Sequence, residues 1–366
     1  MKKTTLSLML LSSLTLFACG PAEPIRIGFV GGLSGSSSDV GTAGRDAVVL
    51  AIEQVNNAGG IAGRKVELIE RDDAQNKDTA TRSATELAAA GVAAVIGPFT
   101  SAMAAATVPV LEKSAIVTIS PTVTSMSFYG KDDHLIRINR TTQDNANDYA
   151  AVLLSRQQRR IAVAYDTRNR SFTESWLNEF RKAMTSSGGE LVAEVPYESR
   201  PDVRWDAVVA ELLRNRPDGL FFISPTPDVV ALSAQAKRQA PELPIGATEW
   251  AASEGLLEGG KVVEGLVIVQ NYNRDDDSAR YVDFRTAFAR RFGRNPGYSS
   301  VSAYDAATVL FTALAKRGKD ETPKQAILRY GPYQGLQQQI AFDANGDTLR
   351  KVFFTEIRDG RYVLLR

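Results

Sequence analysis

One cysteine and one histidine are all that 366 residues contain. With so few, no Cys/His zinc site, iron–sulfur cluster or disulfide can form within the chain. A Ser-His-Asp hydrolase would have only His134 to use, and no Gly-x-Ser-x-Gly elbow accompanies it. Net charge is scarce as well: 43 Lys and Arg stand against 42 Asp and Glu, a formal +1 at pH 7. That balance leaves no basic footprint for nucleic acid and no strong field to steer a polyanion. Ordinary enzyme chemistry is therefore disfavoured, and neither metal nor cofactor is expected. What is present is a chain with 44% hydrophobic residues, long enough for two domains at roughly 100–200 residues each.

The N-terminus has the form of an address. Lys2 and Lys3 precede Thr4 to Leu16, an apolar stretch too short to span a bilayer. It ends Leu16-Phe17-Ala18-Cys19, which resembles the lipobox of bacterial lipoproteins, although Phe17 is bulkier than usual there. That resemblance implies a signal peptide over 1–19, lipid on Cys19 and a linker over 20–24. An ordinary signal peptide, cut elsewhere and leaving a free thiol, is the alternative.

From Ile25 onward, β-rich runs alternate with amphipathic ones. Strands are expected at Ile25–Val30, Lys65–Ile69, Val92–Ile96 and Ala115–Ile119, separated by helices at Arg45–Asn56, Thr79–Ala90 and Ala102–Lys113. The rhythm restarts with a helix at Asp144–Ser155 and a strand at Ile161–Tyr165, and continues to a helix at Asp228–Gln239. Strands separated by helices of this length form parallel sheets covered on both faces. Two such series predict an α/β fold of two doubly wound parallel-sheet lobes. The final third holds one strand (Gly265–Gln270), three helical stretches and a hairpin pairing Lys351–Ile357 with Tyr362–Leu365 across Asp359-Gly360. These pieces must complete the lobes already begun, so the chain is expected to cross between them more than once.

Several glycine and acidic segments carry less than their composition suggests. The glycines of Gly28 to Gly35 lack dinucleotide-binding spacing. Asp343-Ala-Asn-Gly-Asp347 lacks the later Gly and Glu of a calcium loop and reads as a turn. His134 reads as a strand-end residue. Two loops at the C-terminal ends of expected strands are more informative, because open α/β sheets bind ligands there. Gly97-Pro-Phe-Thr100-Ser101 opens a helix, and Ser120-Pro-Thr122-Val-Thr124-Ser125 opens a short turn. Their hydroxyls and free N–H groups suit a carboxylate, or serve only as helix caps. From the other lobe, Thr248-Glu249-Trp250 offers an acid for an ammonium group, or simply an exposed loop charge.

The ordered set Ile25-Arg-Ile-Gly-Phe with Leu33-Ser-Gly35, Asn56-Asn-Ala-Gly-Gly-Ile-Ala-Gly63, Glu70-Arg-Asp-Asp73, Val95-Ile-Gly97, Ile119-Ser-Pro121 and Phe342-Asp-Ala-Asn-Gly-Asp347 resembles the leucine/isoleucine/valine-binding protein family. These are type I periplasmic solute-binding proteins of ABC importers. The resemblance implies two lobes, 25–141 with 271–350 and 142–270 with 351–366, joined by three crossovers around a ligand cleft. It implies that Ser101 and Thr124 hold a ligand carboxylate, and that the Thr122 carbonyl and Glu249 hold its ammonium. Phe99 and Tyr298 become apolar walls, with Thr100 beside them at the position of a family disulfide whose other position is Gln75. Val40, Arg170 and Pro225 stand where the family often carries aromatics. An Arg at 168 or 170 would admit a polar or acidic ligand side chain, or point to solvent.

The function implied is a monomeric, lipid-anchored receptor on the periplasmic or cell-surface side of a bacterial membrane. It would bind a branched-chain-like or polar amino acid, or a related small carboxylate, and deliver it to permease subunits with cytoplasmic ATPases. A ligand-sensing regulatory protein is one alternative. An outer-membrane lipoprotein that activates cell-wall synthesis is another, since Gly20 follows Cys19 where an Asp would favour inner-membrane retention.

Overall fold

Strand runs that are apolar on both faces end up in sheet centres, with amphipathic helices laid over them. The computed structural model describes residues 23–35 and 38–365; Cys19 and the rest of the N-terminal address lie outside the described residues. The first sheet is built from β1 (Ile25–Gly31), β2 (Val66–Asp72), β3 (Ala94–Ile96), β4 (Thr118–Ser120) and β5 (Leu135–Arg137). Its order is β2-β1-β3-β4-β5, every pair parallel, with α1 (Asp39–Asn57), α2 (Lys77–Ala89) and α3 (Ser101–Lys113) as crossovers.

The second series runs α4 (Thr142–Ser155), β6 (Arg160–Asp166), α5 (Arg170–Ser186), β7 (Glu190–Tyr197), α6 (Trp205–Leu213), β8 (Gly219–Ile223), α7 (Thr226–Gln239), β9 (Ile245–Ala247) and β10 (Val267–Gln270). Next come α8 (Ala279–Phe292), α9 (Tyr298–Lys316), α10 (Pro323–Tyr330), the short pair β11 (Tyr333–Gln334) and β12 (Gln339–Ile340), then β13 (Phe353–Arg358) and β14 (Arg361–Leu364). The second sheet has the order β14-β13-β10-β9-β8-β6-β7.

This sheet is mixed rather than wholly parallel. β13 runs antiparallel to β10 and also to β14, to which it is joined by the two-residue turn Asp359-Gly360. Both turn residues have positive φ (50° and 68°), the conformation of a type I′ hairpin. Only an antiparallel pair can be closed by so short a loop.

Helices α8 and α9 pack on α1, so this part of the chain returns to the first sheet. Among the described residues, segments 138–141, 271–278 and 341–352 therefore link the two sheets. Two buried ion pairs fasten the returning chain. Arg137 at the end of β5 meets Asp347 at 2.6 Å, and Asp305 of α9 meets Arg350 at 2.9 Å. Behind the second sheet, Tyr149, Trp176, Phe180 and Phe221 form a fully buried aromatic cluster, and the Tyr149 hydroxyl donates to the Val267 carbonyl at 2.6 Å.

Candidate functional site

The C-terminal ends of β3 and β4 face those of β9 and β10 across a narrow, nearly closed space with a free volume of about 20 Å³. From the first sheet it is walled by Phe99, Thr100, Ser101 and Thr122, joined by Tyr298 from α9. Asn169, Phe172, Glu249, Trp250 and Asn271 form the opposite wall.

The two adjacent hydroxyls at the start of α3 have separate roles. Thr100 is the helix cap: its backbone is extended and its Oγ1 accepts from Met103 N at 3.3 Å. Ser101 is 1% exposed, and its hydroxyl has no partner among the described residues. A buried polar atom left unpaired costs free energy, so Ser101 is poised to accept or donate one bond to something in this space. The Thr122 hydroxyl is occupied, donating to Phe99 O at 2.6 Å and tying the two loops together. Thr124 is buried with its own hydroxyl unpaired, although it is not part of the wall itself. The N–H groups of Ala102 and Met103 at the start of α3 are taken by Asn169 and Thr100, and the helix adds its positive dipole end beside Ser101.

Glu249 supplies the opposite electrostatics. It is 4% exposed, in a short 3₁₀ turn after β9. Its carboxylate accepts from Asn145 Nδ2 at 3.0 Å and from Trp176 Nε1 at 3.1 Å, both neutral donors. Burial pushes its pKa up to about 7 against the pull of those hydrogen bonds. Arg140 acts on this acid only through space, so a cation in contact would complete it, and an ammonium group fits that need. Ser101 and the α3 terminus on one wall, with Glu249 on the other, thus present the two polarities of a zwitterion.

Of the other residues expected at the site, Phe99 is a buried wall stacked on Phe29 at 5.2 Å. It fits because Gly44 has no side chain: a Cβ there would lie 2.0 Å from Phe99 Cε1. Val40 lies next door, in a larger space that shares Tyr298 with this one. Arg170 is not brought to the site. Its side chain is 69% exposed and pairs with Glu174 one turn along α5, at 2.9 Å. The buried face of that helix is Phe172, Thr173, Trp176, Leu177 and Phe180, which leaves position 170 outward. Arg168 is held by buried Asp166 at 2.9 Å and lines an adjoining space of about 460 Å³ that shares Thr100, Asn169 and Trp250 with this one. Of the two alternatives for an Arg here, position 170 takes the solvent, and Arg168 lines the adjoining space rather than this one. His134 sits at the start of β5, half-buried against Glu112 at 2.9 Å.

Sequence reasoning missed Asn169, Asn145 and Trp176. Asn169 Oδ1 accepts from Ala102 N at 3.0 Å, a buried hydrogen bond that ties the start of α3 directly to the start of α5. No local pattern marks any of the three, because their partners lie 67, 104 and 73 residues away.

Residues 24–361 match the family described as "Periplasmic binding protein". The chain belongs to the periplasmic binding protein family. It is 24% identical over 340 residues to the leucine-, isoleucine-, valine-, threonine-, and alanine-binding protein of Pseudomonas aeruginosa, covering 91% of this chain and 89% of that one. A branched-chain amino acid transporter substrate binding protein from Streptococcus pneumoniae, solved with isoleucine, is similar in structure at TM-score 0.85 and 21% identity. That match covers 93% of this chain and 97% of the other. A solute binding protein of R. palustris, solved with benzoate, gives TM-score 0.85 at 18% identity, covering 93% and 95%. The shared architecture is that of type I periplasmic binding proteins, and the relatives are solute-binding proteins rather than enzymes.

Proposed function

We propose that this chain is an extracytoplasmic solute-binding protein of an ABC importer. It takes an amino acid or a related small carboxylate between lobe 1 (25–141 with 271–350) and lobe 2 (142–270 with 351–366). The observation that carries the reading is the pairing of a buried, cation-seeking Glu249 on one wall with the unpaired Ser101 hydroxyl at a helix N-terminus on the other. Ser101 and Thr124 hold the carboxylate; Glu249 and the Thr122 carbonyl hold the ammonium. Phe99 and Tyr298 cover the carbon skeleton. The named relatives, one an amino-acid binder and one solved with benzoate, support a small carboxylate as the solute.

Charge-assisted hydrogen bonds contribute roughly 1.5–3 kcal/mol each, so three or four of them suffice for micromolar binding. Drawing the lobes together buries the solute, and the closed form is what a permease would recognise. Lipid on Cys19 would keep the protein at the membrane that carries its permease. A thermal-shift screen of free amino acids and small carboxylates tests the reading, because a ligand that prefers the folded, closed state raises the melting temperature. A stabilising α-amino acid is the expected result. No shift from any amino acid or small carboxylate would remove the proposal's support.

A further inference from the structure

Tyr298 separates the candidate site from a second and larger space. That space, about 780 Å³, lies between α1 with the start of α9 on one side and α7 with the turn 253–259 on the other. The small side chains Val40 and Ala43 on α1 and Val230 on α7 leave it wide and give it an apolar floor. Carboxylates enter from both sides: Asp39 at the first turn of α1, Glu254 and Glu258 on the facing turn.

The charges there do not cancel. Glu254 is matched by Arg274 at 2.6 Å. Arg294, the cation on the wall, is engaged by Asp46 at 2.6 Å. Asp39 keeps Ser253 as a hydrogen-bonding neighbour and feels Arg294 only through space. Glu258 is exposed and has no ion-pair partner among the described residues. Two carboxylates thus face the space without a cation of their own.

Tyr298 supplies the independent observation. It is 5% exposed and lines both spaces, and among the described residues no hydrogen bond engages its hydroxyl. Burial first, then the charges of Asp39 and Glu249, hold its phenol well above the ordinary tyrosine pKa. The tyrosine is therefore a wall common to the two neighbouring spaces, with an open polar atom beside them.

We propose that the solute is an α-amino acid with a long side chain ending in a cation, its head at Ser101 and Glu249 and its tail passing Tyr298 into this acidic space. The inference rests on the amino-acid reading of the head site and adds the class of side chain. The aliphatic stem lies along Val40, Ala43, Val230 and the Tyr298 ring. The terminal ammonium or guanidinium meets Asp39 and Glu258, while its donors reach the Tyr298 hydroxyl.

Calorimetry on the full chain with L-arginine and L-norleucine decides it, since the two share the head and differ at the cationic end. Arginine is expected to bind about ten- to a hundredfold more tightly. Asp39→Asn and Glu258→Gln should each narrow that margin; Glu258 is exposed, so its variant tests the charge without a folding cost. Norleucine binding as tightly as arginine overturns the tail assignment while leaving the head reading intact. An arginine preference that neither variant narrows overturns it equally. Binding of neither compound overturns the head reading, and this inference with it.

Discussion

Replacing Glu249 with Gln should move stability and affinity in opposite directions. The buried carboxylate titrates near 7 in the folded chain, against 4.5 for an ordinary glutamate. Because the folded pKa is the higher one, the folded state binds this proton more tightly than the unfolded state. The protonated acid is carried without penalty below pH 4.5, and the cost of ionisation accumulates as pH rises towards 7. At about 1.4 kcal/mol per pH unit, the full displacement is worth about 3 kcal/mol. Gln cannot ionise, yet its amide oxygen still accepts from Asn145 and Trp176, so the variant escapes the penalty. Glu249→Gln should match the parent in urea unfolding at pH 4 and be more stable by up to about 3 kcal/mol at pH 8, in the absence of solute. The same change removes the partner of a ligand's ammonium and should weaken amino-acid binding by roughly 2–5 kcal/mol. A variant less stable than the parent at pH 8 would refute the claim that the carboxylate is held at an electrostatic cost. Unchanged affinity would remove Glu249 from the site.

Three further outcomes are expected. Below pH 7 an ammonium ligand must displace the Glu249 proton, so calorimetric affinity should fall by about tenfold per unit between pH 7 and pH 5; a flat profile contradicts this. Gly44→Ala places a Cβ 2.0 Å from Phe99 and should push that ring into the cavity. The expected cost is about 1–3 kcal/mol in denaturant unfolding together with weaker solute binding, whereas parent-like values for both would mean Phe99 is no wall of the site. Cys19→Ala should shift the protein from the membrane pellet to the soluble fraction on cell fractionation; continued pelleting would argue against a lipid on that thiol.

The fold was largely readable because its strands and helices repeat one pattern. Val92–Ile96, of which Ala94–Ile96 forms β3, and Leu220–Ile223 are apolar and lie inside their sheets, and Asp359-Gly360 marked the hairpin that closes the chain. Helix starts were less legible where polar residues work at a distance. α9 begins at Tyr298, where Ser299 and Ser300 spend their hydroxyls on carbonyls of α1, at 2.6 and 3.0 Å. α5 begins at Arg170 because Asp166 holds the preceding 3₁₀ turn by accepting from Arg168 N. The two-residue strands β11 and β12 are too short to show any period.

The candidate site was legible in its loops and opaque in its supports. Ser101 and Glu249 are marked by their place after strands, while Asn145 and Trp176 reach Glu249 only through the packing of α4 and α5. For Arg170 the deciding clue is local: Glu174 four residues on is its partner at the helix surface.

The central claim is that Ser101 and Glu249 grip the two ends of a zwitterion. Its most direct test is calorimetry at pH 8 with an L-amino acid that the thermal screen finds stabilising, beside the matching α-hydroxy acid, which keeps the carboxylate and lacks the ammonium. The account predicts that the amino acid binds at micromolar strength or better and the hydroxy acid far more weakly, with the difference lost in Glu249→Gln. Equal affinity for the two compounds would contradict it.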